Sequence, residues 1–223
     1  QALQVARVLL HPAHAGRKWT LRGVQAHCLE WEGQANALTP PSLGYLSKLF
    51  QFLQEGELVV REGTRGPVRL LNPKRLLRAS AEAYSVESIE CFSLQTKKQL
   101  ETGLKKLELE SGGYAAWAAF SAADILAPAV KNDKNWMIVA PRFFAELKRI
   151  LDAAEVENGA NITILIPNND GPFYSGERIG NHAMCTNPVQ TYWDLHSCGG
   201  RGHDAADALL EQLLIPAWKN VLP

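Results

Sequence analysis

Apolar residues in the first third of the chain return every three or four positions, the spacing of a buried helical face. In Gln1–Leu10 the packing positions are Leu3, Ala6, Val8 and Leu10, and the run His11-Pro12-Ala13-His14-Ala15-Gly16 breaks the helix. A second helix is predicted over Trp19–Trp31, with Thr20 able to cap it and Leu21, Val24, Cys28 and Trp31 at helical steps. Gly33–Leu38 is a turn-rich connection. The third helix has the clearest signature: Thr39 as cap, Pro40 or Pro41 in the first turn, and Gly56 as stop. Leu43, Leu46, Phe50 and Leu53 form its buried stripe. Beyond Gly56 the pattern changes to that of strands, with Leu58-Val59-Val60 and Val68-Arg69-Leu70-Leu71 forming a hairpin around Gly63-Thr64-Arg65-Gly66-Pro67.

The rest of the chain mixes the two periods. Thr96–Leu109 reads as a helix with Leu100, Leu104 and Leu107 on one side and lysines on the other, ended by Ser111-Gly112-Gly113. The small, alanine-rich stretch Tyr114–Leu126 predicts a helix packed closely on a sheet and ended by Pro128. Trp136–Ala140 and Ile162–Ile166 are short unbroken apolar runs, the mark of buried strands. Between them Pro141–Ala154 carries Phe144, Leu147 and Leu151 at helical spacing, and Asn168–Pro172 is a turn. Two final helices, Pro188–Ser197 and Asp204–Trp218, are joined by Cys198-Gly199-Gly200-Arg201-Gly202-His203, whose glycines imply positive φ.

The expected class is therefore α+β: an N-terminal winged helix-turn-helix over residues 1–80, then a mixed α/β domain over 81–223. The boundary falls near Asn72–Val86, where a polar helical stretch follows Asn72-Pro73.

Composition supports a globular chain of 223 residues, with 46% hydrophobic residues and 23 basic against 23 acidic side chains. That balance hides a split. Residues 1–80 hold 11 Lys and Arg against five Glu, a net +6, and the remainder carries −6. A basic module beside an acidic one is a hint of polyanion binding. No apolar run approaches the length of a membrane span, and no charged segment precedes a hydrophobic one as in a secretory signal. The first residue is Gln1 rather than an initiator Met, so further sequence upstream is expected. Cys28, Cys91, Cys185 and Cys198 are too sparse for a disulfide scaffold and read as reduced thiols in a cytoplasmic protein.

Candidate chemistry concentrates in the basic module. Opposite the leucine stripe, the third helix carries Ser42, Gly44, Tyr45, Lys48 and Gln51, short or polar groups suited to phosphates and base edges in a major groove. The hairpin adds Arg61, Arg65 and Arg69, and Arg17, Lys18 and Arg22 lie near the start of the second helix. Double-stranded DNA is the expected partner, with binding that weakens steeply with salt. A winged helix used for protein contacts is the alternative use of the same fold.

In the acidic half, His182, Cys185, His196, Cys198 and His203 have neither a CxxC pair nor a finger spacing, so no metal site is expected. The Gly199–Gly202 loop lacks a P-loop lysine and follows a helix, so it reads as a turn. GxSxG, HExxH and paired-Asp motifs are absent, and Asp124, Asp170 and Asp194 stand apart, with the first and last facing solvent or bonding locally. No cofactor and no catalytic residue are assigned. The rival reading is a nucleotide- or metal-dependent transferase built around Asp194 and the glycine loop.

Ser42-Leu43-Gly44-Tyr45-Leu46-Ser47-Lys48 and Phe52-Leu53-Gln54-Glu55-Gly56 resemble the recognition-helix segment of AbiEi-type antitoxins, winged-helix regulators of type IV toxin–antitoxin (abortive infection) systems. Asn72–Leu77 and Phe120–Ala123 are similar to later segments of that family, and the most specific likeness is Pro188–Leu195, Gly199–Gly202 and Asp204–Ala206. The resemblance implies an autorepressor whose N-terminal domain binds operator DNA. It also implies a C-terminal domain that counteracts a nucleotidyltransferase-like toxin without a stable complex, and members with an upstream domain. Trp193, His196, Cys198 and His203 depart from the family's tail pattern.

Overall fold

A computed structural model describes residues 1–31, 40–63, 66–84, 89–128 and 134–219, without the side chains of 29–31. The chain divides into two compact units, Gln1–Tyr84 with Glu211–Pro223, and Ser85–Leu210.

The first unit opens with α1 (Ala2–Leu10), which buries Val5, Val8, Leu9 and Leu10, and a 3-10 turn over Pro12–His14. In α2 (Leu21–Trp31) the Gly23 amide donates to Thr20 Oγ1 at 3.0 Å, as the cap reading expects. The helix starts two residues after Trp19 because Trp19 is extended instead. It pairs with Val68, each amide donating to the other's carbonyl at 2.8 and 2.7 Å.

α3 (Leu43–Glu55) begins later than its prolines suggest. Its cap is Ser42, whose Oγ accepts from the Tyr45 amide at 3.1 Å. Pro40 and Pro41 precede that cap, and Thr39, the predicted cap, lies outside the described residues with the predicted turn at 33–38 and Arg65. Leu46, Phe50 and Leu53 are buried as the stripe requires. Leu43 is not: at the helix's first position it is 37% exposed.

β1 (Val59–Arg61) and β2 (Val68–Leu70) are antiparallel, with Val59 opposite Leu70 and Arg61 opposite Val68. Asn72 then caps α4 (Pro73–Ala83) by accepting from the Arg75 amide. The terminal helix α10 (Ile215–Lys219) belongs to this first unit, where the sequence suggested a place in 81–223. Its buried Trp218 donates Nε1–H to the Leu10 carbonyl at 3.1 Å, satisfying one of the free carbonyls at the end of α1.

The second unit contains β3 (Ile89–Gln95), α5 (Leu100–Ser111), β4 (Ala115–Trp117), α6 (Ala119–Leu126) and β5 (Asn135–Val139). They are followed by α7 (Phe144–Leu151), β6 (Ala154–Glu155), β7 (Ile162–Pro167), α8 (Pro188–Ser197) and α9 (Arg201–Leu209). The five strands form one mixed sheet in the order β4-β5-β7-β3-β6, parallel only between β5 and β7. β7 is buried along its whole length, so its sequence is a continuous apolar run rather than an alternating one. Leu104, Leu107, Leu147 and Leu151 of α5 and α7 join Leu94, Met137, Val139 and Ile164 of the sheet in one core.

Two sequence expectations change here. The predicted helix over Tyr114–Leu126 divides, because Ala115–Trp117 pairs with Met137–Val139 as strand β4 before α6 begins. Alanine's helix preference is worth only tenths of a kcal/mol per residue, and the buried backbone ladder outweighs it. α9 starts at Arg201, three residues before Asp204, because Gly199 and Gly200, at φ 62° and 41°, complete the reversal earlier. Gly202 sits where the helices pinch together: a Cβ there would lie 2.2 Å from the Leu195 carbonyl oxygen. Among the described residues no helix is long and apolar enough to cross a membrane.

Candidate nucleic-acid interface

Burial of Leu46, Phe50 and Leu53 fixes how α3 is rotated, and Gly44, Ser47, Lys48, Gln51 and Gln54 are left exposed on its other side. Tyr45 is half-buried. Ser42 is exposed, but its hydroxyl oxygen is already engaged as the helix cap. Gln51 Nε2 donates to Glu55 Oε1 at 3.0 Å, which keeps its amide oriented along the helix surface.

A cleft of about 560 Å³ runs beside this face. Ser47, Gln51 and Gln54 line it from α3, Thr20 and Leu21 from the start of α2, and Arg61, Gly63 and Gly66 from the hairpin. Ser47, Gln54 and Thr20 were not among the residues assigned to DNA contact from the sequence, where Thr20 is read as a helix cap. The spacing of Ser47, Gln51 and Gln54, at i, i+4 and i+7, is the signal that could have found them.

The cations do not all gather on that cleft. Residues directly opposite in an antiparallel pair share a face and successive residues alternate, so Arg61 lies with Val68 and Arg69 with Val60 on the other face. Arg61 lines the cleft, with Nη1 3.4 Å from the Gly66 carbonyl. Arg65 lies outside the described residues. The Arg17 guanidinium sits 4.2 Å from the centre of the Trp19 ring, a stacking contact that leaves its charge at the surface. Lys18 Nζ is 2.7 Å from Glu62 Oε1, both half-exposed, so its charge is partly offset. Lys48 is exposed on α3. Glu55, near the end of the same helix, would repel phosphate and confines favourable backbone contacts to the Lys48 end.

The groups of the rival reading are arranged differently. Asp194 does not face solvent: it is 3% exposed and accepts from Gln190 Nε2 at 2.7 Å. In the glycine loop the Gly202 and His203 amides donate to the Gly199 and Gly200 carbonyls at 2.7 and 3.0 Å, so both already have partners within the turn. Cys198 is exposed at the surface but its thiol donates to the Asp194 carbonyl, and the packing around the sulfur, reinforced by the Asp194 charge, raises the thiol. Cys185, buried against the Glu177 carbonyl, is pushed equally far by burial. His203 Nε2 lies 3.0 Å from the His196 carbonyl. Among the described residues no three His, Cys, Asp or Glu side chains converge on a point that could hold a metal.

The described polar groups of α3 and of the glycine loop thus play different parts. No curated protein and no solved structure matches the chain significantly. Residues 69–215, about two thirds of the chain, match the family described as transcriptional regulator, AbiEi antitoxin, type IV toxin–antitoxin system. The match starts inside β2 and runs through the sheet unit into α10, so α3 precedes it. With that coverage, the chain belongs to the AbiEi antitoxin family of type IV toxin–antitoxin transcriptional regulators.

Proposed function

We propose that the first unit is a winged helix-turn-helix that binds double-stranded operator DNA. α3 enters the major groove with Ser47, Lys48, Gln51 and Gln54, Gly44 allows close backbone approach, and the hairpin lies along the duplex backbone. Ser42, Tyr45, Arg17, Lys18, Arg61, Arg65 and Arg69 complete the contact set, with Arg69 reaching phosphate from the opposite face of the hairpin. The chain represses its own operon in the cytoplasm. As an antitoxin it counteracts a nucleotidyltransferase-like toxin without a stable complex and without catalysis of its own.

One observation carries this reading. A polar row on α3, held outward by a buried apolar stripe, shares a cleft with Arg61 of the hairpin. The glycine loop lends the transferase alternative no comparable support, because the Gly202 and His203 amides, two of those a phosphate would use, are bonded within the turn.

The test is fluorescence anisotropy with the duplex upstream of the gene, over a series of salt concentrations. Lys48→Ala and Arg61→Ala should each weaken binding by about 1–2 kcal/mol and lower the salt slope by roughly 0.9 per lost phosphate contact. Unchanged affinity for both variants at every salt concentration would overturn the reading.

A further inference from the structure

Three histidines meet where α1, the 3-10 turn and α2 join, and none belongs to the proposed interface. His14 Nδ1 lies 2.7 Å from the Val8 carbonyl oxygen, which can only accept, so Nδ1 carries the hydrogen. His14 Nε2 is then a bare lone pair. It faces His27 Nε2 at 3.0 Å, so the hydrogen between the rings belongs to His27. Both protons of the neutral pair are assigned by one backbone carbonyl.

The cluster is also the root of the hairpin. Trp19, 2% exposed, receives the His14 ring edge-on at 5.3 Å and the His27 ring at 5.5 Å, and Arg17 covers the Trp19 ring as well. His11 adds a ring 5.3 Å from His14. Through its backbone Trp19 is bonded in both directions to Val68 of β2. The position of the hairpin relative to α3 therefore depends on a residue packed against the histidine pair.

The pair can accept one proton without harm. Placed on His27, it leaves the bond between the rings intact and strengthens it, since the Nε2–H that donates to His14 is kept and becomes charged. A second proton has only His14 Nε2 to occupy, and there it sets N–H against N–H. The described charged groups around the cluster include Arg7 on α1, Arg17 and Lys18 before Trp19, Arg22 on α2 and Lys219 on α10, with Glu62 of the hairpin 2.7 Å from Lys18. Of these, the Arg17 charge opposes a proton on His14. Burial, with His27 and Arg17 adding to it, holds His14 below the usual histidine range despite the bond to Val8.

We infer that His14 and His27 form an acid-sensitive latch that holds Trp19, and through Val68 the hairpin, in place only while His14 is neutral. The inference rests on the DNA-binding reading for its consequence alone: acidification would release operator DNA by freeing the hairpin, leaving the α3 core intact.

Amide hydrogen exchange on the full chain reads the latch without any DNA. Between about pH 7.5 and about pH 5.5, protection factors at Trp19 and Val68 should fall about tenfold or more relative to Leu46 and Phe50. His27→Gln keeps a donor towards His14 and can turn its amide oxygen to accept from the protonated ring, so in this variant the loss should disappear. In wild-type protein, imidazole NMR should show His14 carrying its hydrogen on Nδ1 at the higher pH. Protection that stays level in wild type, or falls equally in His27→Gln, overturns the latch. Anisotropy with the upstream duplex over the same range separates the two claims. Absence of binding at every pH alongside a working latch counts against the DNA reading only, and binding with level protection counts against the latch only.

Discussion

Amide and hydroxyl side chains are used in opposite ways on α3 of the first unit and at the start of α8 in the second. In the first, Ser47, Gln51 and Gln54 stand exposed along one side of α3, and Gln51 donates to the neighbouring surface Glu55. In the second, Asn187, Gln190 and Thr191 are fully buried and bonded. Asn187 accepts from the Val189 and Gln190 amides at the start of α8 and donates to the Tyr174 carbonyl, and Thr191 shares its hydroxyl with Thr186 and the Asn187 carbonyl. The buried Asn187, Gln190 and Thr191 are therefore a condition of folding. The exposed Ser47, Gln51 and Gln54 are dispensable for folding and available to a partner, which is what a readout surface needs.

The sharpest way to break this comparison is to remove one polar group of each kind. Asn187→Ala deletes a cap and removes the donor to the buried Tyr174 carbonyl, and should destabilise the second unit by about 3 kcal/mol. Urea unfolding followed separately for each unit measures it, and a loss below about 1 kcal/mol would remove the distinction. Gln54→Ala, by contrast, should leave stability within about 0.5 kcal/mol while weakening binding to the upstream duplex by about 1 kcal/mol.

The same contrast explains what could be read in advance. Phe50 and Leu53 declare their burial through helical spacing, and the exposed face of α3 follows from theirs by geometry, so that side of the proposed interface was legible. Ser47 and Gln54 were not, because a flank becomes a cleft only when the hairpin is placed beside it. The split of Arg61 from Arg69 needed the strand register, which no pattern in so short a hairpin specifies. In the second unit β5, α7, β7 and α8 carry strong local signals. Strand β3 does not: Phe92-Ser93-Leu94-Gln95 alternates, but its partners lie some seventy residues away on β7. The burial of Asp194 was likewise hidden, since an acid on a helix reads as exposed until the bonded Gln190 beside it is known.

Acid should separate the units in a second way. His14 is lowered in the fold, so the unfolded chain takes up its proton first, and the first unit loses stability as pH falls below about 6.5 towards the lowered value. Two carboxyls of the second unit respond in opposite senses. Burial raises Glu177, so its neutral form is favoured and the unit gains slightly as pH falls towards about 4.5. For Glu101, bonds from Trp117, the Ala183 amide and Lys105 outweigh burial and lower the carboxyl, so its contribution persists at about 4.5 and fades only below. Thermal melts resolved by unit should show the first weakening between about pH 6.5 and 5 while the second holds. Parallel weakening would mean that the two are not independent in this respect.

The smallest expected effect concerns a charge that the first unit holds in reserve. Lys18 and Glu62 are both about half exposed, and a surface pair of that kind contributes well under 1 kcal/mol. Glu62→Gln should therefore change stability by only a few tenths of a kcal/mol. Its effect on binding has the opposite sign from the other variants. The substitution removes a carboxylate from the hairpin that carries Arg61 and releases the Lys18 ammonium, so affinity for the upstream duplex should rise about two- to fivefold at low salt and converge with wild type as salt is added. A fall in affinity would show that Glu62 orders the hairpin rather than restrains its charge, and would move Lys18 from the contact set to the framework that supports it.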